Sequence, residues 1–288
     1  MRIGLFPGQG VPVRTVLAAL SPEHSLVKKA SEVLCYDLHK QVEQIAKRER
    51  SVMPTSLAQP AIFTASVAAW HERADEQFDF FLGHSVGEYA ALVAGGSMSF
   101  EQALCVVQVR GAAMQKAALE ANGGMVALID LTLDEVEAIA DATGTVVAND
   151  NSPAQVVLAG DHDALVDAAT QTRERGGRAV RLDVTGPFHT PEVASAATPL
   201  RDALEHISIR SPSVPVISNV STAAYRAPGE IRKLLIEQLT SRVRFREALE
   251  RLWLSGANEF HDFGPGRIIA GLAARTFDSL HLATAEVG

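Results

Sequence analysis

The stretch FDFFLGHSVGEYAALVAGG, residues 78–96, leaves this chain little freedom in how it folds. An apolar run with strand character meets two glycines around one serine, and a small-residue helical pattern begins at once, stopped by Gly95 and Gly96. A strand that turns into a helix without a loop brings backbone against backbone. The flanking positions must then lack side chains, which Gly83 and Gly87 satisfy. G-x-S-x-G between a strand and a helix is the spacing of a nucleophile elbow. Ser85 has two readings: an N-cap, for which serine is a preferred residue, or a nucleophile whose developing charge the helix N-terminus favours. Capping accounts for the serine and leaves both glycines unexplained.

Short apolar runs alternate with longer helical patterns along the rest of the chain, which predicts an α/β fold. Residues 2–6 form a buried strand ending in a Pro-Gly turn, and residues 57–73 a helix with Pro60 in its first turn. Ser99 and Gln102 have capping-box spacing and open a helix of about five turns that runs to Asn122-Gly123-Gly124. The order then becomes strand (125–131), helix (133–143), strand (146–150), strand (154–160), helix (162–177) and strand (178–184). That is the β-α-β-β-α-β ferredoxin-like motif, with its hairpin turn expected at Asn151-Ser152-Pro153. A helix near 191–207, a strand at 214–220, helices at 229–239 and 244–256, and a strand at 259–263 return to α/β. The expected organisation is a large domain, residues 1–123 and 187–288, with a small subdomain inserted at 124–186.

Charge excludes several functions. A net charge of −8 argues against nucleic acid, which rewards clustered positive charge, and against general attraction to anionic membranes. No run approaches the ~20 apolar residues of a membrane span, and Pro7 and Gly8 interrupt what would be a signal peptide's core. Cys35 and Cys105, both in apolar helix-like segments, show neither disulfide-framework nor metal-ligand spacing. The expectation is a soluble, cytoplasmic protein without a metal site.

A serine nucleophile needs a base. His84 adjoins Ser85, and neighbours at a tight turn diverge, so it suits orienting the loop. His24, His39, His71, His162, His206 and His281 lie in polar helical or terminal settings, and His261 sits beside Asp262 in a strand, where alternation points neighbours to opposite faces. His189 instead follows a strand end and a Gly-Pro turn in DVTGPFHTPE, at the junction of the expected domains. Arg110 lies in a helix with small or apolar residues on most faces. Either it snorkels to water, or it is buried and must meet an anion, for which a guanidinium fork suits a carboxylate.

Taken together, these residues resemble malonyl-CoA:acyl carrier protein transacylases and the acyltransferase domains of polyketide synthases. The resemblance runs in order through PGQG (7–10), QPAIFTAS (59–66), GHSVGEYAAL (83–92), QVRGAAMQ (108–115), NSPAQVVLAG (151–160), GPFHT (186–190), PVISNV (215–220), EQL (237–239) and FGPG (263–266). It implies an α/β-hydrolase-like large domain with a ferredoxin-like insert. It also implies transfer of a malonyl group from coenzyme A to the phosphopantetheine thiol of an acyl carrier protein, in fatty acid or polyketide biosynthesis. By the same resemblance Ser85 is the nucleophile, His189 the general base and acid, and Gln238 the residue whose backbone carbonyl steadies His189. Backbone N–H groups of Gln9 and Val86 form the oxyanion hole, Arg110 pairs with the malonyl carboxylate, and Gln59 lies near the site. Phe188, directly before the histidine, goes with malonyl over a branched unit. No cofactor is implied, malonyl-CoA being a substrate, and the chain is expected to be a monomer. Arg242, Arg244 and Arg246, or Arg173, Arg175, Arg178 and Arg181, are candidate docking patches for an acidic carrier. Two rivals remain: a hydrolase clearing carriers with the same Ser-His pair, and a non-catalytic relic of the fold.

Overall fold

The computed structural model describes residues 1–48 and 52–286. Strand β1 (Arg2–Phe6) is followed by helices α1 (Val13–Ala19), α2 (Ser25–Leu34), α3 (Leu38–Ala46) and α4 (Thr55–His71). Strand β2 (Phe80–Gly83) leads to α5 (Gly87–Ala94) and the long α6 (Phe100–Ala121). Next come β3 (Gly123–Ile129), α7 (Leu133–Thr143), β4 (Val146–Ser152), β5 (Gln155–Asp161), α8 (His162–Glu174) and β6 (Arg178–Arg181). The chain returns through a 3₁₀ turn (Pro191–Ala196), α9 (Ala197–Glu205), β7 (Val216–Ile217), α10 (Pro228–Glu237) and a second 3₁₀ turn (Gln238–Thr240). It finishes with β8 (Val243–Arg244), α11 (Phe245–Leu254), β9 (Glu259–Asp262) and α12 (Ile268–Glu286).

Two sheets organise these elements. The first has order β7-β2-β1-β9, with every neighbour parallel. Its central strands β1 and β2 are buried on both faces, which is why RIGLF and DFFLG are nearly continuous apolar runs. Alternation sends Ile3, Leu5 and Leu82 to the face covered by α11 and α12. Phe6 and Phe81 face the opposite way, into the core shared with α4, α5 and α6.

The second sheet has order β6-β3-β5-β4-β8. Its first four strands are antiparallel, in the ferredoxin-like arrangement. The fifth, β8, comes from far along the chain and pairs parallel with β4, Asn149 opposite Val243 and Asp150 opposite Arg244. On one face Val126 and Leu128 pack against Val136, Ile139, Leu165 and Ala168 of α7 and α8. On the other, Met125, Ala127, Val157 and Ala159 join the main core. The result is an α/β-hydrolase-like large domain with a ferredoxin-like subdomain.

Local structure departs from the sequence expectation at several points. Helix α4 starts at Thr55 behind Pro54, so Pro60 lies inside the helix rather than in its first turn, at the expense of one helical bond. Gly123 and Gly124 open β3 instead of ending α6; Asn122 alone, with φ 49°, turns the chain in the left-handed region. At Ser99 only the serine arm of the capping box forms, accepting from Gln102 N at 3.2 Å. A full capping box forms instead between Thr132 and Glu135. Ser152 pairs with Gln155, so the hairpin connection is Pro153-Ala154, while Asn151 and Ser152 are strand residues. Only two residues of VPVISNV are strand, at the edge of the parallel sheet. Helices α1–α3 and α12 occupy segments for which the sequence suggested helical character in places but no element bounds. Both cysteines are exposed rather than set in apolar surroundings. Among the described residues no helix is long and apolar enough to cross a membrane.

Candidate active site

The elbow is built as its glycines require. A Cβ on Gly83 would lie 2.1 Å from the carbonyl carbon of Gly87, and one on Gly87 would lie 2.2 Å from the carbonyl oxygen of Phe6. Gly83→Ala should therefore cost more than about 3 kcal/mol, since backbone and not a yielding side chain must move. The check is a thermal melt, with a midpoint within a degree of the parent counting against the argument. Between the glycines, Ser85 sits at φ 52°, a conformation that surrounding structure must hold in place. Asn219 holds it from both sides. Its Oδ1 accepts from Ser85 N at 2.7 Å, and its Nδ2 donates to Gly83 O at 2.6 Å.

Ser85 is not a cap. The residue before α5 is Val86, and no side-chain cap bond forms there. The Ser85 hydroxyl instead lies 2.9 Å from His189 Nε2. His189, also at positive φ (63°), places Nδ1 2.8 Å from the carbonyl oxygen of Gln238. A carbonyl only accepts, so Nδ1 carries the proton and Nε2 is free to accept from Ser85. Burial holds His189 well below the ordinary histidine range, at about 3, with Arg110 pushing the same way and the Gln238 carbonyl opposing both. The imidazole is neutral near pH 7.

Arg110 resolves in favour of burial. It is fully inaccessible, and burial pushes its guanidinium below the ordinary value. Nη1 donates to Gln59 Oε1 at 2.7 Å; Nη2 donates to Gln238 Oε1 at 2.8 Å and to Ser85 Oγ at 3.2 Å. Each of these acceptors is a neutral oxygen, and Nε has no partner. Gln59 Nε2 donates to Gln9 Oε1 at 3.1 Å, tying the loop after β1 to α4.

Ser85, His189 and Gln9 line one side of a cavity of about 270 Å³ between the two sheets, with Arg110, Gln59 and Gln238 buried behind them and outside its lining. Gln9, Ser85, Phe188 and His189 face it from the large domain, and Met125, Asn149, Asn151 and Val157 from the subdomain. Among the described residues, the backbone N–H groups of Gln9 and Val86 donate to no protein acceptor. His84 Nε2 lies 2.7 Å from Asn151 Oδ1, joining the elbow to β4. His261 meets Glu259 at 2.7 Å, two residues away on the same strand face, and not Asp262. Arg242, Arg244 and Arg246 pair with Glu137, Glu247 and Asp150, and Arg178 pairs with Asp130. The sequence reading passed over Asn219 and the buried Glu88, although both lie inside motifs it quoted. Nothing local in PVISNV or GEYAAL reveals that their side chains meet beneath the elbow.

A Ser-His pair at a strand–helix elbow, with the histidine anchored by a carbonyl and free amides beside the serine, is the apparatus of serine acyl-transfer enzymes. The chain belongs to the acyl transferase domain family, which matches residues 6–285. Malonyl CoA-acyl carrier protein transacylase of Haemophilus influenzae is 38% identical over 292 residues, spanning 96% of this chain and 92% of that one. The structure of an acyl carrier protein S-malonyltransferase from Vibrio cholerae superposes with a TM-score of 0.85 at 37% identity, covering 96% and 94% of the two chains. A malonyl-transacylase solved in complex with its type II PKS acyl-carrier protein also superposes with a TM-score of 0.85, at 33% identity and with 96% and 93% covered.

Proposed function

We propose that this chain moves a malonyl group from coenzyme A to the phosphopantetheine thiol of an acyl carrier protein through an ester on Ser85, in fatty acid or polyketide biosynthesis. The observation that carries the reading is Arg110, a buried guanidinium beside the nucleophile whose direct partners are all neutral oxygens. A buried cation so arranged awaits an anion, and the free carboxylate of a malonyl thioester supplies one.

Ser85 Oγ attacks the thioester carbonyl as His189 Nε2 takes its proton. The carbonyl oxygen becomes an oxyanion received by the N–H groups of Gln9 and Val86, donors of a kind worth about 10²–10³ in rate. The C–S bond breaks, and the departing thiolate takes the proton from the imidazolium. The carrier's thiol then enters, gives its proton to His189, and attacks the ester; Ser85 leaves and is reprotonated. The Gln238 carbonyl holds the imidazolium throughout, where a triad would use a carboxylate.

Phe188, buried at the cavity wall, fills space that an α-methyl would need and supports an unbranched malonyl. Malonyl-CoA is a substrate and no cofactor takes part. The reading includes a monomeric protein acting in the cytoplasm. For the carrier, Arg173 and Arg181 are better placed than the segment after Gln238. Both are exposed and have no carboxylate partner among the described residues, whereas Arg242, Arg244 and Arg246 are already paired. The hydrolase alternative is disfavoured, because clearing assorted acyl chains has no use for a buried carboxylate clamp.

The test is to incubate the protein with malonyl-CoA, with and without phosphopantetheinylated carrier, and to follow the acyl-enzyme by intact mass. The adduct should persist without carrier and discharge onto carrier when it is added. Rapid carrier-independent release of malonate would overturn the transferase reading.

A further inference from the structure

Glu88 stands one turn beyond Ser85 on α5, fully buried, and the steps above do not use it. Its Oε1 accepts from the hydroxyl of Tyr225 and from the backbone N–H of Asn219, the same residue that staples the elbow. Its Oε2 accepts from Nε2 of Gln238. The other end of that amide, Gln238 Oε1, accepts from Arg110 Nη2. Carboxylate, amide and guanidinium therefore form a relay in which the amide dipole is aligned with both charges.

A direct Arg–Glu pair would fill the guanidinium fork with two parallel bonds. With an amide between them, Arg110 is compensated at a distance and bonds only to neutral oxygens. An arriving carboxylate competes with those and not with a fixed anion. We propose that Glu88 is a positioning residue for acyl-group selectivity, supplying Arg110 with its resting counter-charge through the Gln238 side chain and so keeping the guanidinium open to the acyl carboxylate. The proposal rests on the reading of Arg110 given under the proposed function.

Loading the site then places two carboxylates around one cation, and Glu88 takes up a proton as the acyl group binds. The titratable and charged groups facing Glu88 are Tyr225 from the segment before α10, its neighbour Tyr89 on α5, and Arg110 on α6. Burial raises Glu88 to about 7, with the Tyr225 hydrogen bond the largest opposing influence. Tyr225 and Tyr89 are raised further from neutrality, and His189 at about 3 lies below the window. A group that gains a proton on binding favours binding at low pH, and the advantage falls as pH rises through its midpoint.

The experiment measures kcat/KM for acylation of Ser85 by malonyl-CoA and by acetyl-CoA from about pH 6 to about pH 8.5. In the parent protein the malonyl-to-acetyl ratio should fall by about tenfold across that range. In Glu88→Gln the ratio should be flat. In Tyr225→Phe, where one donor to the carboxylate is lost, the midpoint of the fall should move to higher pH. A flat parent profile, or a parent-like profile in Glu88→Gln, overturns the proposal. If Glu88→Gln fails to fold, an unmoved midpoint in Tyr225→Phe overturns it instead. Arg110→Ala separates the two claims. Malonyl preference that survives this change defeats the reading of Arg110. Preference lost there, with Glu88 and Tyr225 variants keeping the parent profile, defeats the role of Glu88 alone.

Discussion

Ser85→Ala should abolish the malonyl adduct and lower transfer to the carrier by about 10⁴-fold or more. In the proposed mechanism the hydroxyl carries the acyl group, and among the described residues no second hydroxyl bonds to His189. His189 Nε2 lies 2.9 Å from Ser85 Oγ, and removal of that oxygen leaves the base with nothing to activate but water. The fold should survive. The elbow depends on the glycines and on Asn219, whose bonds go to the backbone of residues 83 and 85, and alanine keeps that backbone. Intact mass after exposure to malonyl-CoA reads the adduct directly, and a thermal melt confirms that the variant is folded. A malonyl adduct of parent yield in the folded variant would place the nucleophile elsewhere and end the mechanism.

Arg110→Ala should invert the acyl preference. Removing one partner of a buried charge pair costs about 3–5 kcal/mol, which corresponds to a loss of about 10²–10³-fold or somewhat more in kcat/KM for malonyl-CoA. Acetyl-CoA has no carboxylate to lose and should react at near the parent rate or faster. The variant also strips donors from Gln59 and Gln238, so some stability will be lost. Expressing the result as a malonyl-to-acetyl ratio cancels changes in the amount of folded enzyme. Equal losses for both substrates would mean that Arg110 only props up the two glutamines.

Much of this architecture was legible because its signals are local. The two glycines of GHSVG specify a turn that only one backbone path satisfies, and the order of the β-α-β-β-α-β segment follows from apolar periodicity alone. Boundaries moved where tertiary contacts decided them. Asn151 has turn chemistry, yet its side chain bonds His84 and Gln155, and the strand runs on to Ser152. The edge strand β7 pairs with β2 through two residues only, Val216 and Ile217. Arg110 could not be resolved locally, since a snorkelling arginine and a buried one share the same flanking residues. Asn219 and Glu88 were illegible for a related reason. Their backbone N–H to carboxylate contact spans 131 positions, and no pattern in either segment announces it.

The two-residue strand β8 gives the ferredoxin-like sheet an outer edge encoded more than fifty residues after the subdomain's own last strand. That pairing makes the subdomain a poor interchangeable cassette. A chimera that swaps the insert between relatives at its two chain crossings would bring a new β4 against the old Val243 and Arg244. Any mismatch would leave β4 with exposed backbone groups, the kind of edge that invites aggregation. The same short strand begins five residues after Gln238, whose carbonyl holds His189. A loose graft there would unsettle His189, the proposed base, along with the fold. Grafts that carry residues 243–244 together with the insert keep the β4–β8 pairing native and leave Gln238 with its own His189, so the transplantable unit is discontinuous in the gene though contiguous in space.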